Sequence, residues 1–133
     1  MYNKGMAGGL QKITVSTSQS RQVVDITDEV VEYIDPDSNF CTLFVAHTTC
    51  ALTTVDLDAG TDRDLLDAAW EMIPKLRYRH AHDPEHAPAH LASSFIGPNL
   101  CVPVADGKLV LGTWQRIVLV ELDGPRDRLI VIA

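Results

Sequence analysis

The sequence predicts an α+β fold, built mainly of antiparallel β-sheet in two packed layers with two or three helices. Short segments in which apolar and polar residues alternate recur along the chain, as in strands that expose one face. Several of these segments are separated only by tight turns such as Asp106-Gly107. Strands joined so closely must pair antiparallel, because a parallel crossover needs a dozen or more residues. Two segments with helical spacing of apolar residues interrupt the strands.

The size and charge of the chain narrow its possible functions. It has 133 residues, of which 46% are hydrophobic, and we expect residues 10–133 to form a single domain after a flexible N-terminal arm at residues 1–9. The formal net charge is −7 and no Lys/Arg cluster is present, which argues against nucleic-acid binding. The apolar runs are too short for a membrane span, and the Gly-rich start has no apolar signal segment. A cytoplasmic protein with no membrane contact is expected.

The first elements are predicted from alternation and helix-end signals. Strands are expected at residues 10–17 and 23–26. Thr27 is the predicted N-cap of a short helix, because Asp28 then lies in the first turn, where a carboxylate interacts favourably with the helix dipole. Pro36 is expected to end that helix.

The central part of the chain contains the longest β-like run and the clearest helix. Residues 40–54 are rich in Thr, Phe, Val and Leu, and they form either two strands or one strand with a bulge near His47. Residues 61–73 place their apolar side chains on one helical face, and Pro74 should end the helix. The sequence Thr61-Asp-Arg-Asp64 predicts a start that resembles a capping box.

The last part combines a polar loop with further strands. Residues 78–99 are loop-like, with a short helix expected at 88–94 and Pro88 at its first position. Strands are then predicted at 100–104, 108–111, 115–122 and 128–132.

The three cysteines lie far apart in apolar segments. Cys41, Cys50 and Cys101 are therefore expected to be reduced and buried as small apolar side chains. None has cationic neighbours in the sequence, which disfavours a nucleophilic role.

Histidines provide the strongest functional signal. His80, His82, His86 and His90 fall within eleven residues, and His47 lies in the apolar strand region. Imidazole is the commonest metal ligand and the side chain best suited to proton transfer near neutral pH. Three histidines with an open fourth position are a usual arrangement for catalytic zinc. A polar surface loop and a structural core histidine are the alternatives, which spacing alone leaves open.

Other polar residues are weaker candidates. Asp56 follows the His47 strand region and can reach a site at its end. Glu121 lies among apolar strand residues and needs a partner if buried, for which Arg116 and Arg126 are candidates. Residues 112–116 combine a glycine, an indole and an amide, which indicates either a pocket wall or a hairpin edge.

Three stretches resemble a known family: His47-Thr-Thr-Cys-Ala-Leu-Thr-Thr54, Pro88-Ala-His90-Leu-Ala-Ser-Ser94-Phe-Ile-Gly97 and Gly112-Thr-Trp-Gln-Arg-Ile-Val-Leu-Val-Glu-Leu-Asp-Gly-Pro125. They are similar to the YjbQ-like family, often labelled secondary thiamine-phosphate synthase enzymes, and the likeness extends from about residue 10 to the end. The resemblance implies a compact α+β fold and a homotrimer. It also implies a reaction that joins a pyrimidine pyrophosphate to a thiazole phosphate and releases pyrophosphate.

The resemblance also implies a set of site residues. His47, His80 (in Tyr78-Arg-His80) and His90 match the family's characteristic polar positions, so they are the implied catalytic residues and ligands of a divalent metal. Zinc is favoured, with magnesium the alternative if the synthase reaction is real. Asp56 or Glu121 would act as a base or would orient a ligand. Contacts to a small, phosphorylated substrate are assigned to Thr48, Ser93, Ser94, Thr113, Trp114, Gln115 and Arg116.

The chain departs from the family pattern in one place, and this leaves alternative functions open. Many members have Asn-Glu-Asn where this chain has Val55-Asp56-Leu57, which bears on the substrate more than on the fold. No Gly-rich phosphate loop is present, although Arg79, Arg116 and Arg126 are available cations. The alternatives are a metal-dependent hydrolase or lyase of a small phosphorylated or carbonyl metabolite, and a non-catalytic trimeric protein that binds a small anion near Trp114.

Overall fold

The computed structural model describes residues 10–133, so the arm predicted for residues 1–9 lies outside the described part. Strands and helices follow one another as β1 (Gln11–Ser16), β2 (Gln22–Asp25), α1 (Thr27–Val31), β3 (Phe40–Val45), β4 (Cys50–Asp56), α2 (Thr61–Glu71), a 3₁₀ turn (Pro84–His86), α3 (Ala87–Ile96), β5 (Asn99–Ala105), β6 (Lys108–Leu109), β7 (Gln115–Glu121) and β8 (Asp127–Ile132). Every strand pairing between these elements is antiparallel. The predicted α+β fold is confirmed.

The strands form two sheets that pack face to face. One sheet has the order β1-β8-β3-β5-β6 and the other β2-β7-β4. Between them lies the main core, and α2 and α3 cover the outer face of the three-stranded sheet over a second core. Strand β7 contributes Ile117 and Leu119 to the first core and Val118 and Val120 to the second. Because successive strand residues point to opposite faces, this strand is buried on both sides.

Residues 40–54 form two strands, which was one of the two predicted possibilities. Strand β3 pairs with β5 and β8 in the larger sheet, whereas β4 pairs with β7 in the smaller one. The chain therefore crosses from one sheet to the other at residues 46–49. His47 lies in this crossing, next to the strand β8 that carries the buried Arg128.

The start of α1 differs from the prediction. Ile26 occupies the N-cap position and Thr27 is the first helical residue, so Thr27 is not the cap. Its hydroxyl donates to Asp25 Oδ1 at 2.7 Å and accepts a hydrogen bond from the Ile117 backbone N–H at 2.8 Å. These bonds tie the helix start to strand β7, and such tertiary partners cannot be read from the local sequence.

The predicted capping box of α2 is also wrong. Gly60 is the N-cap, with a φ of 92°, and no side chain caps the helix. A left-handed glycine turns the chain into the helix, and its carbonyl accepts the N–H of Asp64 at 3.0 Å. Helix α3 runs from Ala87 to Ile96, one residue earlier and two residues later than predicted, so Pro88 is its second residue and not its first. A 3₁₀ turn leads into it. Within residues 10–133, no helix has the length and apolar character needed to cross a membrane.

The cysteine prediction holds for two residues and fails for the third. Cys41 and Cys50 are buried, and burial raises the pKa of Cys41 to about 11 and that of Cys50 to about 12. Cys101 is exposed, because it pairs with Thr42 and shares the outer face of the larger sheet. Alternation along β5 thus places one cysteine on the solvent side despite its apolar neighbours.

Candidate functional site

The structure brings two of the predicted catalytic histidines together. His90 lies on α3, which is held against the smaller sheet by the buried residues Ala89 and Ala92. His80 comes from the segment between α2 and α3, and its ring centroid lies 4.7 Å from that of His90. Both side chains are half-buried, and the His82 ring lies further out, 6.3 Å from His80. We call His80 and His90 the histidine pair.

His47 has a structural role in the single chain. Its Nε2 accepts a hydrogen bond from the Leu129 backbone N–H at 2.8 Å, and the preceding Ala46 N–H donates to the Leu129 carbonyl at 3.1 Å. The two bonds prolong the pairing of β3 with β8. Accepting at Nε2 requires a free lone pair, so the imidazole is neutral with its proton on Nδ1.

The electrostatic surroundings of His47 favour the same neutral form. Burial lowers the pKa of His47, and the nearby charges of Arg128 and Arg126 lower it further, while Glu121 acts in the opposite direction. A protonated ring would also lose the bond from Leu129. His47 is therefore a structural acceptor in this arrangement.

We expect His47 to make stability depend on pH. The folded state disfavours protonation, so the contribution of neutral His47 is present above the ordinary value of 6.5 and is lost as the pH falls through the lower folded pKa. Urea unfolding between pH 8 and pH 5 should show a steeper loss of unfolding free energy for the native chain than for His47→Gln, whose amide oxygen can still accept from Leu129. Above pH 7.5 the two curves should run parallel. Equal slopes throughout would contradict this interpretation.

The predicted three-histidine metal centre does not form within one chain. Among residues 10–133, no three His, Cys, Asp or Glu side chains lie close enough together to hold a metal ion. Nε2 of His47 is already used by a backbone N–H, which leaves the histidine pair as two nitrogen ligands. The donor set therefore does not fit a three-histidine centre in the single chain, and zinc or magnesium binding stays a prediction.

Glu121 has a buried partner, Arg128, which was not among the predicted candidates. The exposed fractions of Glu121 and Arg128 are 0% and 1%, and Arg128 Nε lies 2.9 Å and 3.1 Å from the two carboxylate oxygens. Thr17 donates to Glu121 Oε1 at 2.6 Å, and Arg128 Nη2 donates to Thr49 Oγ1 at 2.9 Å. Burial alone raises the pKa of Glu121, but the bonds from Arg128, Thr17 and the Asp123 backbone hold it below its usual value. This network joins the two sheets.

The choice of Arg116 or Arg126 as that partner was wrong for a geometric reason. Arg116 is five residues from Glu121 on the same strand, so the two side chains point to opposite faces. Arg126 turns instead to Asp123, at 3.2 Å. Arg128 shares the core-facing side of β8 with Ile130. The alternation of residues along β8 is the sequence signal that places this arginine inward.

Two of the predicted cations are neutralised by the chain itself. Arg116 lies 2.8 Å from Asp25 and 3.2 Å from Asp28, and Arg126 bonds to Asp123. Within the described part of the chain, Arg79 has no carboxylate partner. It is exposed and directly precedes His80.

The remaining predicted residues are spread over the surface and the core. Ser93 donates to the Cys50 carbonyl at 2.6 Å inside the protein, and Ser94 donates to the His90 carbonyl at 3.0 Å. Asp56 accepts from the Asp58 N–H at 2.9 Å at the exposed end of β4. Thr48 and Thr113 are exposed. Their predicted contacts to substrate stay predictions.

Residues 112–116 form a turn that leads from the larger sheet into β7 of the smaller one, closed by a hydrogen bond from the Gln115 N–H to the Gly112 carbonyl at 3.1 Å. The exposed fraction of Trp114 is 72%, so its indole is largely open to solvent in the single chain. Gln115 donates to Thr54 Oγ1 at 2.9 Å and accepts from the Gly112 N–H at 3.0 Å, which fixes the turn. The strands β6 and β7 that flank this segment lie in different sheets, so the predicted hairpin edge is wrong, and the pocket wall stays a prediction.

Comparison with known proteins decides the family. The model of the family described as UPF0047 protein YjbQ-like matches residues 11–133. The chain belongs to the YjbQ-like family. A UPF0047 protein of Archaeoglobus fulgidus is 34% identical over 122 residues, covering 91% of this chain and 97% of the relative. The UPF0047 protein of Mycobacterium tuberculosis H37Rv is 42% identical over 111 residues, covering 80% of this chain and 84% of the relative.

Solved structures of YjbQ-like proteins agree with this fold. A protein of unknown function from Sulfolobus solfataricus P2 has a TM-score of 0.84 at 39% identity and covers 93% of this chain and 94% of its own. A hypothetical protein from Aeropyrum pernix K1 has a TM-score of 0.85 at 32% identity, and the match covers 94% of this chain and 96% of that protein. The resemblance predicted from the sequence is confirmed for family and fold.

Proposed function

We propose that this YjbQ-like protein is an enzyme acting on a small phosphorylated or carbonyl metabolite, with His80 and His90 as its acid–base centre. The observation that carries the proposal is the 4.7 Å separation of the two rings, supplied by different elements of the fold. Among the described residues, neither imidazole makes a hydrogen bond or ion pair with another side chain or with the backbone. Their ring nitrogens are thus available to a ligand, whereas Nε2 of His47 accepts from the Leu129 N–H and Nε2 of His86 lies 3.5 Å from Asp83.

Two adjacent imidazoles suit proton transfer. One neutral ring can accept a proton from a substrate or from water while the protonated neighbour donates one to a leaving group. Partial burial restricts both rings to a few orientations, which favours a defined substrate position. Arg79, next to His80 and without a carboxylate partner in the described chain, can bind the negative charge of a phosphoryl or carboxyl group.

The synthase reaction implied by the family label is proposed as a side activity. Departure of pyrophosphate requires strong stabilisation of negative charge. Two of the three arginines foreseen for this task, Arg116 and Arg126, are neutralised by carboxylates of the same chain. The bonds of Arg116 also weigh against the non-catalytic alternative, which placed an anion beside that residue. The implied homotrimer stays a prediction, which light scattering on the purified protein would check.

Replacement of either paired histidine is expected to abolish activity. Purified protein is assayed for thiamine phosphate formation from the two implied substrates and for release of p-nitrophenol from p-nitrophenyl phosphate. His80→Asn and His90→Asn should each lower kcat/KM by at least about 100-fold, the usual minimum contribution of general acid–base catalysis. The matched control is His82→Asn, whose ring lies outside the pair.

The outcomes of this experiment are distinct. Loss in both paired variants with a nearly unchanged His82→Asn protein supports the proposal. Full activity in His90→Asn, or no turnover by the native protein in either assay, contradicts it. Elemental analysis of untagged native protein and of His90→Asn tests the predicted zinc separately from the chemistry.

A further inference from the structure

A second polar site lies where the segment between β1 and β2 meets α2. A pocket of about 380 Å³ is present there. Its lining comprises Gln19, Ser20, Arg21, Arg63, Leu66 and Asp67. None of these residues belongs to the histidine pair or to the Glu121–Arg128 network. The pocket is an open surface depression, since every lining residue except the half-buried Leu66 is exposed.

The charges that line this pocket are unbalanced. Arg21 and Arg63 contribute two positive charges and Asp67 one negative charge. Within the described part of the chain neither arginine forms an ion pair, whereas Arg116 and Arg128 are each bonded to carboxylates. In a chain with a formal net charge of −7, two arginines without carboxylate partners that line one concavity indicate an anionic ligand.

One of these arginines is held in place. The Arg21 guanidinium carbon lies 4.6 Å above the ring of Trp70 on α2, a cation–π contact that limits the orientations of the side chain. Such a contact leaves the N–H donors at the edge of the guanidinium free for an anion. Arg63 and Asp67 lie on successive turns of α2, and both line the pocket.

The backbone wall of the pocket is also fixed. The Ser20 carbonyl accepts the Gly124 N–H at 2.8 Å, and the Gln19 carbonyl lies 2.3 Å from the position that a Cβ on Gly124 would occupy. Ser18 N donates to the Gln22 side chain at 2.9 Å and closes the loop. The segment at residues 18–22 is therefore packed against the β7–β8 turn, which fixes one wall of the pocket.

We infer that this pocket binds a small phosphate-class oxyanion, either inorganic phosphate or a phosphate monoester, between Arg21 and Arg63. The planar fork of a guanidinium group matches the geometry of phosphate oxygens. The Ser20 hydroxyl adds a donor, and Leu66 provides an apolar wall for the organic part of a monoester. Asp67 opposes the anion and keeps the affinity moderate. The inference is independent of the histidine pair.

Binding is measured by titration calorimetry at pH 7.5 and constant ionic strength, with inorganic phosphate, glycerol 3-phosphate and chloride as separate probes. Arg63→Gln is expected to weaken phosphate binding at least tenfold, because it removes one of two cations. Asp67→Asn is expected to tighten it several-fold, because it removes the repelling carboxylate. The matched control is Arg77→Gln, an exposed arginine outside the pocket, which should bind phosphate like the native protein.

A second readout uses Trp70 beneath Arg21. In a Trp114→Phe background Trp70 is the remaining tryptophan of the chain, and saturable phosphate binding should change its emission at the same concentrations as the calorimetric signal. Stronger binding of glycerol 3-phosphate identifies a monoester as the ligand class, and equal binding identifies inorganic phosphate. No saturable binding of either probe overturns the inference. Equal affinities in Arg63→Gln, Asp67→Asn and Arg77→Gln overturn it as well.

Discussion

Arg128→Met is expected to lower the free energy of unfolding by about 3–5 kcal/mol at pH 7, the usual cost of breaking a buried ion pair from one side. The exposed fraction of Glu121 is 0%, so this change leaves a carboxylate in the core with Thr17 and backbone N–H groups as its remaining donors. Thr49 also loses the bond from Arg128 at 2.9 Å. Urea denaturation followed by circular dichroism measures the loss.

A double variant separates the ion pair from the volume of the side chains. In Arg128→Met with Glu121→Leu, both charges are removed and the site becomes apolar, so most of the stability should return. A double variant as unstable as Arg128→Met would show that the hydrogen bonds to Thr17 and Thr49, rather than an unpaired charge, dominate. A cost below about 1 kcal/mol for the single change, the value typical of exposed pairs, would contradict the burial argument.

Gly124→Ala is expected to lower the free energy of unfolding by about 2–4 kcal/mol, combining the cost of overpacking with a weakened hydrogen bond. A Cβ at this position would lie 2.3 Å from the Gln19 carbonyl oxygen and 2.8 Å from Cγ of Glu121. The nearest atom is backbone, so it cannot rotate away. Movement of the turn would also lengthen the bond from Gly124 N–H to the Ser20 carbonyl, now 2.8 Å.

Gly112→Ala is the matched control for that change. There the nearest atom to a built Cβ is Oε1 of Gln115 at 3.5 Å, an ordinary contact with a flexible side chain. We expect its unfolding free energy to stay within about 0.5 kcal/mol of the native value, as for most surface substitutions. Equal midpoints for the two alanine variants in thermal unfolding would contradict the proposed close approach at Gly124.

Much of the fold is predictable because burial leaves a local pattern. Alternation in β1 and β3 corresponds to alternating burial, and the apolar run at residues 117–120 corresponds to a strand covered on both faces. Helix ends were predicted less well. At Thr27 the hydroxyl bonds to Ile117, and at residue 60 a glycine turn replaces a side-chain cap. These features depend on partners or backbone angles that residue types alone do not specify.

The candidate site was predictable only in part. The closeness of His80 and His90 follows from their position around one short loop and one helix, since nearby residues need little chain closure to meet. His47 was expected to join them, but the pairing of β3 with β8 directs its Nε2 to the Leu129 N–H. The pocket lined by Arg21 and Arg63 could not be predicted, because the two residues are 42 positions apart. They line one pocket only because the segment between β1 and β2 lies against α2.

The amino-acid sequence by itself determined the fold class, the family and the residues rich in functional chemistry, because these follow from residue types and their local spacing. The tertiary structure alone decided which charges pair. Arg128 rather than Arg116 meets Glu121 because strand register fixes which face each side chain takes and which strand lies opposite. The strands β7 and β8 belong to different sheets and meet only through the packing of those sheets, so no local segment contains this pairing.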